Sequence, residues 1–269
     1  MVERVLVIAP HPDDAEFGAG GTIIKWAAEG KEIYLVVCTN GDKGSPDLEM
    51  TSVKLAQIRR KEQEAAAKVL GIKEVFFLDY PDGGLEDTPE FRGKLVRLVR
   101  GIRPAAIATN DPYLKYISHR DHRITGMVAM DTVWPYSRDH LFYPEHAAEG
   151  LKPHKVKEVY LWRSETPNYY MDITDVFDQK IKALLCHHSQ VGHRSAHRHI
   201  EVTVRERAAA VGKNKNIPLA VSADCLRECG IRRNDLVFSL PGKVSHCIQK
   251  RKIIPFGINK IGRLCDRIK

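Results

Sequence analysis

Apolar and polar positions alternate along the first part of the chain in blocks that predict strands and helices in turn. Short apolar runs rich in Val and Ile are typical of buried strands, and they occur at 4–9, 32–38, 74–78 and 105–109. Longer stretches with helical spacing lie between them, at 20–29, 52–70 and 90–100. This alternation favours an α/β fold with a mostly parallel sheet and helices on both faces.

The second part of the chain has a less regular pattern. A strand is predicted at 157–162, and helices are predicted at 125–133, 172–190 (with Asp175 as N-cap) and 200–211. The stretch 134–157 is rich in Pro and His and predicts an irregular segment. After residue 220 the apolar runs are short and broken by Gly and Pro. We therefore expect a domain at 1–220, followed by a basic C-terminal extension at 221–269 of poorly defined structure.

Composition narrows the class of protein. The 269 residues carry a net charge of +8, and Ser222 to Lys269 hold eleven Lys and Arg against four Asp and Glu. A basic segment can bind nucleic acid, but this one has few aromatic residues and no nucleic-acid-binding module, so we expect a solvated appendage. No apolar stretch is long enough to span a membrane, and the first strand follows Met1 at once. We expect a cytoplasmic protein that does not bind membranes; its six Cys form no disulfide framework or zinc knuckle pattern.

Two polar clusters follow predicted strands. The first strand ends in Pro10-His11-Pro12-Asp13-Asp14, and His119-Arg120-Asp121-His122 follows the fourth strand. The carboxyl ends of parallel strands are where open α/β sheets bind ligands. Together the clusters supply three His and three Asp, which is enough for a catalytic metal site with a spare carboxylate.

The residue types suggest a role for each side chain. His11, Asp14 and His122 form a two-His, one-carboxylate ligand set that suits Zn²⁺ and also Fe²⁺ or another divalent ion. Asp13 would then be free to act as general base beside a water activated by the metal. His119 would stabilise an oxyanion, and Asp121 would orient His119.

Each cluster has a simpler explanation when it is considered alone. The first could be a turn with an Asx cap, and the second a surface loop. The presence of both clusters, each after a strand of the same predicted sheet, favours the metal site. A nucleotide-binding loop at Gly18–Gly21 is disfavoured, because the glycines lack the GxGxxG spacing and acidic residues precede them.

The chain resembles the PIG-L/LmbE-like N-acetylglucosaminyl deacetylases over about residues 1–220. The segment 9–16 is similar to the family's first motif, and 119–122 to its second motif, with Arg120 where Pro is common. Further similar segments are the loop 39–44, the helix positions 59–62, the turn 81–83 and the sequence His-His-Ser-Gln at 187–190.

The resemblance implies a Rossmann-like fold and zinc-dependent hydrolysis of an acetamide on a glucosamine-type sugar. By motif position it assigns the metal ligands, the base and the oxyanion-stabilising pair to the same residues as above. It adds Arg59, Asp82 and His187 as substrate-binding residues. Arg59 has an alternative, a surface contact with Glu62 or Gln63, and His187 has another, an exposed position on a helix. The resemblance also implies a homo-oligomer.

The sequence therefore predicts a zinc-dependent deacetylase of an N-acetylated amino-sugar small molecule. One alternative is an amidohydrolase acting on another acylated molecule, such as a thiol or antibiotic precursor. A second is a nucleic-acid-associated protein that uses the basic extension, with a structural metal site.

Overall fold

One sheet organises the part of the chain that a computed structural model describes, which is residues 2–116, 119–191, 194–227 and 231–232. Its strands are β1 (Arg4–Ala9), β2 (Glu32–Thr39), β3 (Glu74–Tyr80), β4 (Ala106–Asn110), β5 (Glu158–Trp162), β6 (Tyr169–Asp172), β7 (Ala220–Arg227) and β8 (Ile231–Arg232). They are arranged in the order β3-β2-β1-β4-β5-β7-β6, with β8 paired to β7. β1 to β5 are parallel, whereas β6, β7 and β8 add antiparallel pairs at one side.

Helices connect and cover these strands. They are α1 (Asp14–Ala28), α2 (Ser52–Leu70), α3 (Pro89–Ile102), α4 (Arg120–Asp131), α5 (Glu145–Ala148), α6 (Phe177–Leu184), α7 (His188–Val191) and α8 (Arg194–Gly212). Shorter helical turns span Thr132–Tyr136, Thr174–Val176 and Lys213–Lys215. Within the described ranges, no helix is long and apolar enough to cross a membrane.

The sheet has a buried apolar core on each face. Val5 and Val7 of β1 pack in one cluster with residues of α1 and α6, whereas Leu6 and Ile8 pack in the other with residues of α3 and α4. Successive residues of a strand point to opposite faces, so a strand covered on both sides must be apolar throughout. This explains the continuous apolar runs of the sequence and confirms the predicted α/β class with helices on both faces.

Several element predictions agree with the structure, and others need correction. The strand at 4–9 and the helix at 52–70 have the predicted bounds. α1 begins at Asp14 rather than at residue 20. The predicted helix at 172–190 needs correction: Asp172 ends β6, a short helical turn at Thr174–Val176 precedes α6, and α6 ends at Leu184 before α7 begins at His188. Asp175 does not cap α6; it pairs with Lys25 instead.

The C-terminal strand was not anticipated. β7 forms antiparallel pairs with both β5 and β6, so residues up to Arg227 belong to the sheet. Most of the predicted extension at 221–269, including most of its basic residues and Cys229, Cys247 and Cys265, lies outside the described residues. The division of the chain at residue 220 therefore stays a prediction.

A buried arginine holds part of the segment 134–157, which the sequence predicts to be irregular. Arg100 of α3 is only 3% exposed. Its guanidinium donates hydrogen bonds of 2.8–3.3 Å to five backbone carbonyls, those of Tyr136, Ser137, Asp139, Phe142 and Tyr143. A loop without regular structure still needs partners for its buried carbonyls, and Arg100 supplies them.

We predict that Arg100→Lys lowers the free energy of unfolding by about 2–4 kcal/mol, since an ammonium cannot reproduce the five planar contacts. Chemical denaturation measures the change. Arg97 lies on α3 as well and forms an exposed ion pair with Glu149. Arg97→Lys is therefore the matched control and should change stability by less than about 0.5 kcal/mol. An Arg100→Lys variant as stable as this control would contradict the assignment.

Candidate metal centre and active site

The two polar clusters meet at one edge of the sheet. His11, Asp13 and Asp14 directly follow β1, and His119 and His122 lie at the start of α4, which follows β4. β1 and β4 are neighbouring parallel strands, and the strand order reverses between them. Such a reversal opens a crevice where α/β sheets bind ligands. The ring centroids of His11 and His119 are 4.5 Å apart, and those of His11 and His122 are 5.2 Å apart.

Asp14 lies between two imidazoles. Its Oδ2 is 3.0 Å from His11 Nδ1 and 3.2 Å from His122 Nε2. Ligand atoms at 2.0–2.1 Å from a tetrahedral ion lie about 3.3 Å from one another, so this spacing fits a shared cation. Burial would raise the pKa of Asp14, but hydrogen bonds from His11 and His122 outweigh burial and hold the pKa well below its usual range.

The second nitrogen of His11 faces two further carboxylates. His11 Nε2 is 3.1 Å from Asp121 Oδ2 and 3.1 Å from Asp82 Oδ1. Burial would lower the pKa of His11, yet its contacts with Asp121, Asp14 and Asp82 raise it to about 11. Three carboxylates therefore surround His11 and favour positive charge there. A metal ion that binds at Nδ1 displaces the proton from that nitrogen, because only an unprotonated nitrogen offers a lone pair.

Asp121 contacts His11, whereas the sequence predicts a contact with His119. Its carboxylate is 0% exposed and also accepts the N–H groups of Gly83 at 2.7 Å and Leu85 at 3.1 Å. These bonds fix the carboxylate, which in turn orients the His11 ring. The predicted contact between the Asp121 carboxylate and His119 is replaced by a backbone contact, because the Asp121 N–H donates to His119 Nδ1 at 3.3 Å.

His119 is the N-cap residue of α4, and this cap determines the tautomer of its neutral ring. Since Nδ1 accepts a hydrogen bond, a neutral His119 carries its proton on Nε2. This nitrogen lies 3.6 Å from Asp82 Oδ1, at the side of the ring that faces the site. Burial and the neighbouring charge of His11 lower the pKa of His119, which favours the neutral donor form.

Asp82, predicted to bind substrate, lies beside both histidines. Together with His11, His119 and Asp121 it forms one group of potential ligand atoms that lie within 4.8 Å of one another; His11, His119 and His122 form another, and Asp14 belongs to neither. The Asp121 carboxylate in that group already accepts two backbone N–H groups, so it suits orientation of His11 better than direct coordination. Direct contact of Asp82 with substrate stays a prediction.

Asp13 occupies a strained backbone position that α2 stabilises. Its φ is 104°, in the left-handed region that non-glycine residues rarely adopt. Its N–H donates to Gln63 Oε1 at 3.1 Å, and Gln63 Nε2 donates to Glu16 Oε1 at 2.7 Å. Gln63 and Glu16 are both 0% exposed, so their side chains are held firmly beneath the strained residue.

Arg59 of α2 holds the Asp13 side chain. Its Nη2 is 3.2 Å from Asp13 Oδ2 and also donates to the carbonyl of Pro12, while Nη1 donates to the carbonyl of Gly41 at 3.0 Å. A Cβ at residue 41 would collide with the guanidinium, and the φ of +62° there also favours glycine. Burial and the charge of Asp14 raise the pKa of Asp13 to about 7, although Arg59 acts to lower it.

Arg59 and His187, predicted to bind substrate, are both buried, so the surface alternatives for them are wrong, and their contact with substrate stays a prediction. Arg59 is only 3% exposed, so it positions Asp13; it is not at a surface, and Glu62 instead bonds to Ser189. His187 is 0% exposed, and its Nε2 lies 3.6 Å from Glu16 Oε2. It is therefore neither on an exposed helix surface nor open to a substrate in this structure.

Sequence reasoning missed Gln63 and Glu16 as parts of this arrangement. Gln63 lies four residues after Arg59 and thus on the same face of α2, a spacing that could have identified it. Glu16 follows Asp14 by two residues in the first turn of α1, and only the packing of α2 against α1 shows that it is buried.

We predict that Asp121→Asn weakens Zn²⁺ affinity by about 10- to 100-fold, because the amide removes the negative charge that orients His11. Titration of the purified variant against a competing chelator measures the change. Asp178→Asn, at a carboxylate that is 97% exposed, is the matched control and should keep the original affinity. Equal affinities in the two variants would show that Asp121 does not support the centre.

Comparisons with known proteins agree with this arrangement. The PIG-L family model, described as GlcNAc-PI de-N-acetylase, matches residues 6–133. The chain is 36% identical over 189 residues to the diacetylchitobiose deacetylase of Thermococcus kodakarensis, covering 70% of each chain. It is 31% identical over 163 residues to the mycothiol S-conjugate amidase of Streptomyces coelicolor, of which it spans 55%, and 53% of this chain is covered.

A solved structure is similar to most of the described fold. The N,N'-diacetylchitobiose deacetylase from Pyrococcus horikoshii, determined in complex with the inhibitor MPG, matches with a TM-score of 0.80. The two chains are 34% identical, and 84% of each is covered. On this similarity of sequence and fold, the chain belongs to the PIG-L family.

Proposed function

We propose that the protein is a metal-dependent amidohydrolase that removes the acetyl group from an N-acetylglucosamine-type small molecule. One observation carries the proposal: Asp14 lies between two imidazoles, and the adjacent Asp13 has its own partner in Arg59. Two neighbouring carboxylates with different partners suit different tasks, one as ligand and one as base. The family relatives named as deacetylases of acetylated sugars support the choice of substrate class.

The metal ligands in this proposal are His11, Asp14 and His122, with Zn²⁺ as the ion. Three protein ligands leave one position open, as in catalytic rather than structural zinc sites. When bound, the ion would polarise the acetamide carbonyl and lower the pKa of a coordinated water. Asp121 orients His11 from the far side of the ring.

Asp13 moves the proton. It takes a proton from the attacking water as the water oxygen bonds to the acetamide carbon, and later delivers that proton to the amine nitrogen as the carbon–nitrogen bond breaks. The products are acetate and the free amino sugar. A pKa of about 7 suits both transfers, because the carboxylate can accept and then release a proton near neutral pH.

His119 stabilises the oxyanion that forms on the carbonyl oxygen. Its Nδ1 is occupied by the Asp121 N–H, so Nε2 is the atom that donates. Arg59 and Gln63 act through Asp13: the first holds its carboxylate and the second its backbone. Both are positioning residues.

A second candidate is hydrolysis of an amide in a thiol conjugate, which the similarity to the mycothiol S-conjugate amidase favours. It uses the same centre and differs only in the acylated molecule. The basic extension that would carry a nucleic-acid function lies largely outside the described residues. The homo-oligomer and the cytoplasmic location also stay predictions.

The proposal is tested by acetate release from a panel of N-acetylglucosamine conjugates, with metal-stripped protein before and after addition of Zn²⁺. We expect release only after addition of the metal. A thiol conjugate such as an N-acylcysteinyl glucosamine, included in the panel, distinguishes the second candidate. Absence of release from every sugar conjugate, with metal shown to be bound, would contradict the deacetylase proposal.

We predict that Asp13→Asn lowers kcat by about 10²- to 10⁴-fold, because an amide cannot accept the proton from water. Steady-state acetate release measures the loss, and elemental analysis should find the same zinc content as in the unmodified protein. Asp178→Asn is again the control for removal of one carboxylate. An unchanged kcat in a folded Asp13→Asn variant would overturn the role of Asp13.

A further inference from the structure

A cavity of about 390 Å³ opens beside the catalytic centre. Asp14 lies in its wall, together with Phe17 and Gly18 of α1. The remaining walls come from α6, from α8, from β7 and from Arg163, which directly follows β5. Because β5 is parallel to β4 and adjacent to it, Arg163 lies at the same edge of the sheet as the metal centre.

The cavity is much larger than the acetyl group that the proposed reaction removes. Its volume lies in the range of sites that hold a whole small ligand. Apart from its charged groups, the wall is mainly apolar, with Phe17, Val204, Val211 and Val221 among its residues. Such a lining suits an aromatic or aliphatic group rather than a second, fully hydrated sugar.

Three cationic side chains line the same cavity: Arg163, Lys180 and Arg207. Asp14 is the single carboxylate in its wall, and its oxygen is engaged by His11 and His122. Within the described ranges, neither arginine forms an ion pair with a carboxylate. The cavity wall therefore carries more positive than negative charge, and among the described residues the nearby carboxylate of Glu16 offsets part of it by acting on Lys180.

Lys180 is the buried member of these three cations, with only 3% of its surface exposed. Its Nζ donates to the backbone carbonyl of Phe17 at 3.0 Å. An ammonium group has three N–H donors, and a carbonyl is a neutral partner. A buried cation is stabilised best by an anion, so an anionic ligand would improve the surroundings of Lys180.

We propose that this cavity binds a negatively charged, partly apolar aglycone of the amino-sugar substrate, with Arg163, Lys180 and Arg207 contacting the anionic group. The inference rests on the proposed deacetylase function and refines its substrate class. The acetamide lies at the metal centre, and the aglycone extends past Asp14 toward β5 and β7.

Two kinds of probe test it on the full-length, zinc-loaded protein. Calorimetry compares 4-carboxyphenyl and phenyl glucosides, which have no amide and measure binding alone. Acetate release then compares kcat/KM for the matching 4-carboxyphenyl and phenyl glycosides of N-acetylglucosamine. We expect the carboxylate to improve both binding and kcat/KM by about tenfold at low ionic strength, since it pairs with a buried and two exposed cations.

Arg163→Gln and Arg207→Gln should each reduce this preference, and the double variant should bring the ratio close to one. Both side chains are exposed, so their replacement removes no buried contact. Arg97→Gln removes one positive charge on α3, whose residues do not line the cavity, and should keep the full preference. Lys180 is left unchanged because its replacement could affect folding.

The outcomes separate this inference from the deacetylase proposal. Equal binding of the two glucosides, or a preference that survives in the double variant, overturns the anion site. N-succinylglucosamine carries its carboxylate on the acyl group. If the protein prefers it to N-acetylglucosamine about tenfold and shows no preference between the two glycosides, the aglycone assignment is overturned. Preferential binding that depends on the arginines, without release of acetate, supports the anion site and contradicts the deacetylase proposal.

Discussion

The burial of two adjacent carboxylates, Asp13 and Asp14, at the end of β1 is the constraint on which the rest of the site depends. A buried negative charge is costly unless it is paired, and two neighbouring charges also repel each other. The structure gives each its own partners. His11 and His122 surround Asp14, whereas Arg59 and the strained backbone support Asp13. Burial acts to raise the pKa of both carboxyls. The two imidazoles outweigh burial at Asp14 and lower its pKa, whereas Arg59 does not outweigh burial and the charge of Asp14 at Asp13, whose pKa is raised.

The supporting residues come from elements that the sheet topology brings together. His122 comes from α4, Arg59 and Gln63 from α2, and Glu16 from α1. Removal of one partner from a buried charged group leaves the other uncompensated, at a cost of about 3–5 kcal/mol. The packing of α2 against the loops after β1 and β2 is thus required both for stability and for the position of the proposed base. Gly41 illustrates this requirement, since only a residue without a side chain leaves room for the guanidinium of Arg59.

Most strands of the sheet and the residues of the metal centre could be predicted from the sequence, whereas the antiparallel strands could not. Continuous apolar runs identified β1 to β5, because a strand covered on both faces has one pattern to follow. The polar clusters after β1 and β4 identified His11, Asp14 and His122 as neighbours, since parallel strands place their ends at one edge. The sequence does not predict β6 and β7, because β6 has only four residues and β7 has mixed burial, so neither shows a clear period.

Side-chain partners across helices were harder to predict than the elements themselves. Arg59 is a charged residue on a helix with many charged residues, and its near-complete burial depends on packing that no local pattern shows. Asp121 was paired with the wrong histidine because sequence proximity favoured His119, whereas the carboxylate faces His11 across the junction of β1 and α4. His187 was expected near the substrate but packs beneath Glu16.

The central claim is that the two adjacent carboxylates have separate tasks, and zinc affinity measured side by side in Asp13→Asn and Asp14→Asn tests it most directly. Asp14→Asn removes a ligand and should weaken Zn²⁺ binding by about 100-fold or more, whereas Asp13→Asn should remain within about threefold of the unmodified protein. Equal losses of affinity in the two variants, or a larger loss in Asp13→Asn, would contradict the division of tasks.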